Sequence, residues 1–192
     1  MSTMLSALAR KISLLLIAAS HMKPDEDQME VYVYGLECIL NTGITVFILL
    51  IWGLITHALF ETCIWIAAFS ALRKHSGGFH APTQLSCITT SCLLGMSDRI
   101  IIEFVPYRTI TAFFALIFCM GVCILFAPAD ISKYELTEAM KKKEKLLSVL
   151  IIAIGFFIAV LLKNSIATSI LYSHVCSCVL LLIKIAGGKL KA

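Results

Sequence analysis

The sequence predicts an all-α, polytopic membrane protein, and three observations carry that prediction. Apolar residues make up 59% of the chain and charged residues only 15%, where a soluble domain carries about a quarter charged residues. The apolar residues gather in long runs rather than in helical or alternating stripes, as bilayer spans require. The basic residues sit at the ends of those runs, and the net charge of +4 is modest, which suits lipid headgroups and topology and argues against a nucleic-acid partner. About six transmembrane or re-entrant helices are expected, preceded by an N-terminal interfacial helix, in one domain over residues 1–192.

Residues 1–28 read as the interfacial helix and a hinge. The segment 4–20 is short for a span and places Arg10 and Lys11 among leucines and isoleucines, the composition of a helix lying in the bilayer surface. It lacks a short apolar core ending in a small-residue cleavage site, so it is expected to be retained and not cut as a signal peptide. The stretch "HMKPDEDQME" follows as a polar hinge. Residues 31–72 then supply enough apolar chain for two helices, with a junction expected near Trp52 to His57.

A span from near Pro82 to near Ser97 comes next, then a short charged loop with Asp98, Arg99, Glu103, Pro106 and Arg108. Residues 109–127 form the following span. The segment 128–145 reads as a basic loop containing Lys141, Lys142, Lys143 and Lys145. Residues 146–162 and 166–185 read as the last two spans, joined by a tight turn at Lys163, Asn164 and Ser165. Arg10/Lys11, Arg73/Lys74, the lysine cluster and Lys184/Lys189/Lys191 fall on one side of this arrangement; Arg99, Arg108 and Lys163 fall on the other. The positive-inside rule then places both termini and the segment 73–87 on the cytoplasmic side of the cell membrane.

That segment, "RKHSGGFHAPTQLSC", is a polar island in an otherwise lipid-soluble chain. A thiol becomes a competent nucleophile when an imidazole or a helix N-terminus favours the thiolate. A helix starting near Ala81–Pro82 would put Cys87 in its second turn. His80 just outside it is a base for the thiol proton and an acid for a leaving amine. Gly77 and Gly78 are able to reach positive φ and to aim N–H groups at a developing oxyanion. Arg73 supplies a cation for an acidic substrate group or a headgroup.

Other readings compete for the same residues. Gly-Gly in a loop is often only a turn, and a cysteine at a span end is usually a small packing residue. His75 has no assigned task. The other cysteines, Cys38, Cys63, Cys92, Cys119, Cys123, Cys176 and Cys178, lie in apolar runs and outline no disulfide framework. His75, His80, Cys87 and Cys92 are conceivable metal ligands, but they lack paired Cys-x-x-Cys spacing, so neither a metal nor another cofactor is expected. The absence of Gly-x-Ser-x-Gly argues against a serine hydrolase. The reading from another class is a non-catalytic small membrane transporter or sensor-accessory protein. It would want charged residues at mid-span, for which His174 is the candidate.

The island resembles the accessory gene regulator B (AgrB) family of membrane peptidases from Gram-positive quorum-sensing systems. The matching residues are Arg73, Gly78, His80, Ala81 and Cys87, with Gly77 and Pro82 in familiar company. The Ala-Pro and lysine-rich stretch "FAPADISKYELTEAMKKKEK" is similar to a second family feature, and Tyr34 to Glu37, "YGLE", to a weaker third. The resemblance implies a cysteine endopeptidase whose substrate is a short amphipathic propeptide, AgrD-like. Cys87 would release the propeptide's C-terminal tail and hold the remainder as a thioester. An internal cysteine or serine of the substrate would then close a thiolactone or lactone. The resemblance also implies a homodimer in the lipid bilayer. Glu37 and Gln84 are the candidates for a third member orienting His80, and Arg73 with Lys141, Lys142, Lys143 and Lys145 for contacts to substrate or headgroups.

Overall fold

The computed structural model describes residues 4–20, 25–78, 83–105, 107–129 and 137–189. Among these residues the chain is a bundle of seven helices: α1 (Met4–Ser20), α2 (Glu26–Ile55), α3 (Leu59–Ser76), α4 (Gln84–Phe104), α5 (Thr109–Phe126), α6 (Glu138–Leu162) and α7 (Ser165–Lys189). Five of them, α2 and α4 to α7, are long and apolar enough to cross a membrane. The chain is an all-α, multi-pass membrane protein.

Local chemistry explains the helix ends. The Asp25 carboxylate caps α2 by accepting from the Gln28 N–H at 2.8 Å, and Thr83 caps α4 by accepting from the Ser86 N–H at 3.2 Å, each satisfying a donor that has no partner within its helix. The expected junction between the second and third helices falls at Thr56–Ala58, where His57 adopts φ 54°. Gly53 permits the tight return, since a Cβ there would press on Thr62. Lys163 ends α6 in the left-handed conformation at φ 51°, the tight turn expected before the last helix.

Several boundaries differ from the sequence reading: α2 already begins at Glu26, within the stretch expected as a hinge, and α3 runs past residue 72 to Ser76. α4 continues to Phe104, so Asp98, Arg99 and Glu103 are helical, and Asp98 is buried with its Oδ2 accepting from Ser169 Oγ at 2.8 Å. A hydroxyl on α7 receives the carboxylate that hydropathy alone had pushed into a loop. α6 begins at Glu138, so the lysine cluster of the expected loop lies on the first turns of a helix capped by Thr137. The second expected span, α3, is a helix of 18 residues that is not among the five long and apolar enough to cross by length and composition. It carries Glu61, Arg73, Lys74 and His75 and packs against α2, α4, α6 and α7.

The core divides around α3 and α7. One cluster joins Leu72 to Cys119, Cys123, Ile152, Cys178 and Leu181; the other joins Leu49, Trp65, Phe69, Cys176 and Leu180. α7 buries Ser169, Ser173, His174 and Ser177. Gly155 makes room for His174, since a Cβ at that position would overlap the imidazole. The packing brings the C-terminal ends of α3, α5 and α7 to the same end of the bundle as the N-terminal ends of α4 and α6. Two links seal this end: the Ala129 N–H donates to the Ser76 carbonyl at 3.1 Å, and His75 pairs with Glu144.

Candidate active site

The α4 N-terminus carries Cys87. Its N–H donates to the Thr83 carbonyl at 3.1 Å, so Cys87 closes the first turn of a helix that begins at Gln84. That start is later than the expected one near Ala81–Pro82, and it moves the thiol from the second turn to the first, where the helix dipole acts most strongly. Cys87 is half-buried, whereas Cys92, further along α4, is buried.

Beside Cys87 lies a cavity of about 400 Å³, walled by α2, α3 and α4. Trp65, Phe69 and Arg73 stand at successive i, i+4 positions of α3, and all three line it. The Trp65 and Phe69 rings stack at 4.7 Å and 11°. The Arg73 guanidinium lies 5.6 Å from the Phe69 ring centroid, within cation–π range, and within electrostatic reach of Cys87. α2 contributes Asn41 and Thr45, on the face that also bears Tyr34 and Glu37. Tyr34 is within electrostatic reach of both Glu37 and Cys87.

Gly77 lines the cavity with φ 72°, and its N–H donates to the Arg73 carbonyl at 3.1 Å to end α3. A Cβ at Gly77 would overlap the Ala129 carbonyl oxygen, so the close approach of residues 127–129 requires glycine here. That N–H closes the helix, and the positive φ and the close approach constrain Gly77 by its conformation. Gly78 has φ 148° with ordinary van der Waals room beyond its Cα; its constraint is backbone conformation. His80 lies outside the described residues, as do Ala81 and Pro82.

The remaining candidates divide. Gln84 donates from Nε2 to Ser6 Oγ at 3.3 Å, joining the start of α4 to α1. Glu37 is half-buried on α2. Lys141 pairs with Glu138 at 2.8 Å, and Lys145 donates to the Ile124 carbonyl at 2.8 Å, capping the last turn of α5. All eight cysteines are free thiols, with Cys38 and Cys63 exposed on helix surfaces and not packed inside. Among the described residues no group of three or more His, Cys, Asp or Glu side chains is placed to hold a metal, and His75 is engaged by Glu144.

Comparison with known proteins bears on this arrangement. The family model for accessory gene regulator B matches residues 9–182. The chain belongs to the accessory gene regulator B family. It is 32% identical to AgrB-like protein 2 of Clostridium perfringens over 74% of this chain and 71% of that one. An AgrB-like protein of Listeria innocua is 29% identical over 72% and 68%. Accessory gene regulator protein B of Staphylococcus aureus is 30% identical over 54% and 55%. No solved structure matches. The AgrB family is one of quorum-sensing regulators, and the membrane-spanning helices fit that membership.

Sequence reasoning passed over Asn41, Trp65 and Phe69. A signal existed for Asn41, an amide side chain within a long apolar run. Trp65 and Phe69 carried none, because aromatic residues at helical spacing look the same whether they line a core or a cavity.

Proposed function

We propose that the chain is a membrane-embedded cysteine endopeptidase that removes the C-terminal tail of a short amphipathic quorum-sensing propeptide and promotes cyclisation of the remainder. The observation that carries this reading is that Cys87, at a helix N-terminus, shares one cavity with Arg73 and Gly77.

In this mechanism His80 takes the Cys87 thiol proton, and Sγ attacks the carbonyl carbon of the scissile peptide bond. The carbon–nitrogen bond breaks, His80 returns the proton to the leaving amine, and the tail departs with its new N-terminus. The substrate's remaining part is held as a thioester. An internal substrate thiol loses its proton to His80 and attacks that thioester; the Cys87 sulfur leaves and is reprotonated. One thioester replaces another, so the exchange needs no nucleotide, and a tethered thiol outcompetes water through its effective concentration. Apolar walls around the cavity also protect the acyl-enzyme from water. Glu37 is the candidate to orient His80; Gln84, bonded to Ser6, is a candidate only if it exchanges that partner.

The end of the bundle that carries Cys87 also carries Arg73, Lys74, Lys141, Lys142, Lys143 and Lys145, which favours a cytoplasmic orientation for that end and for both termini. α1 would then rest in the inner interface, and the basic groups would draw in an acidic tail or anionic headgroups. The working form in this reading is a homodimer. Co-expression with a candidate propeptide, followed by mass spectrometry of the products, tests the reaction: the cyclic product and the free tail are expected together, and an intact propeptide would contradict it.

A further inference from the structure

Two residues that line the cavity beside Cys87 each carry a buried polar atom with no partner among the described residues: the Asn41 Oδ1 acceptor and the Trp65 Nε1–H donor. Trp65 is only 1% exposed, and leaving such a donor unpaired costs free energy unless a ligand takes it. Its ring is held in place. Phe69 stacks on one face, and a Cβ on Gly95 would come within 3.1 Å of Cζ3. The N–H lies on the far side of the ring from that contact. Asn41 is held by its helix, where its own carbonyl accepts from Thr45 Oγ1 at 2.9 Å.

The acceptor comes from α2 and the donor from α3, on different walls of the cavity. A peptide unit has the matching chemistry, because its N–H and C=O point in opposite directions. Val46, Leu49, Ile66 and Ile88 line the same cavity, and apolar surroundings of this kind strengthen a hydrogen bond made among them. We propose that Asn41 and Trp65 form a subsite that reads a peptide unit on the acyl side of the scissile bond, the substrate N–H donating to Asn41 Oδ1 and the substrate carbonyl accepting from Trp65 Nε1–H. This rests on Cys87 being the nucleophile, and it assigns the neighbouring cavity to the segment that becomes the acyl-enzyme.

The test uses the full chain in membranes and two small alkylating probes, N-acetyl-leucine chloromethyl ketone and its counterpart with an acetyl ester oxygen in place of the amide N–H. In each, Sγ forms a bond to the methylene carbon, chloride leaves, and the thiol proton passes to solvent. Rates at Cys87 are followed by peptide mapping and divided by the rate of methyl methanethiosulfonate on the same variant, so changes in folding or thiol reactivity cancel. The amide probe is expected to react about five-fold faster than the ester with the unmodified chain, and Asn41→Leu should bring that ratio to about one. Trp65→Phe keeps the aromatic wall and should slow both probes alike, since both retain the carbonyl. An amide-to-ester ratio that is the same in Asn41→Leu as in the unmodified chain, with label on Cys87, would overturn the subsite alone. Label on other cysteines with none on Cys87 would overturn the nucleophile as well.

Discussion

His75 Nδ1 and Glu144 Oε2 lie 2.6 Å apart, tying the last turn of α3 to the start of α6. The pair gives His75 a task that its sequence context did not reveal. Both side chains are about three-quarters shielded, at 22% and 25% exposure, and the pair should contribute on the order of 1 kcal/mol. His75→Ala and Glu144→Gln should each lower thermal stability slightly and leave substantial processing. His80→Ala should stop it. Thermal melts beside product measurements by mass spectrometry check this, and equal loss of product in the two histidine variants would assign the pair a catalytic part.

The glycines should separate by mechanism. Gly77→Ala adds a Cβ that collides with the Ala129 carbonyl at a positive φ, so it should destabilise the protein by about 1–3 kcal/mol. Gly78→Val meets room but a disfavoured φ of 148°. If the Gly78 N–H serves the oxyanion, the backbone shift that valine forces should displace that N–H and lower turnover by up to about 10²–10³-fold. Turnover of folded Gly78→Val at the rate of the unmodified protein would reduce the second glycine to a turn.

The lysine cluster is best tested without Lys145, whose ammonium caps α5 through the Ile124 carbonyl. Neutralising Lys141, Lys142 and Lys143 to glutamine should raise the apparent KM for an acidic-tailed propeptide by about five-fold at low salt. It should also flatten the salt dependence, because such attraction is screened within about 8 Å at physiological ionic strength. Cysteine labelling confirms that orientation is kept. An unchanged KM and salt dependence would leave the lysines as orientation signals.

The helices were legible where hydropathy and turn chemistry agreed. Residues 109–127 read as a span because nothing charged interrupts them, and α5 ends at Phe126, one residue short of the expected end. Asp98 was misread because its partner, Ser169, is distant in sequence; a carboxylate without a visible partner reads as a loop residue. In the site, Cys87 stood out by its company with His80 and the glycines, and Arg73 by its charge. The cavity itself was invisible, since it depends on α2, α3 and α4 packing so that Asn41, Trp65 and Cys87 line one space.

The measurement that bears most directly on the central claim compares Cys87→Ala with Cys92→Ala, each co-expressed with the propeptide and read by mass spectrometry after confirming membrane levels. Cys87 stands at the cavity in the first turn of α4, while Cys92 is buried further along the helix. Cys87→Ala should yield neither free tail nor cyclic product, and Cys92→Ala should yield both. Tail release and cyclisation by Cys87→Ala at the level of the unmodified protein would contradict the account.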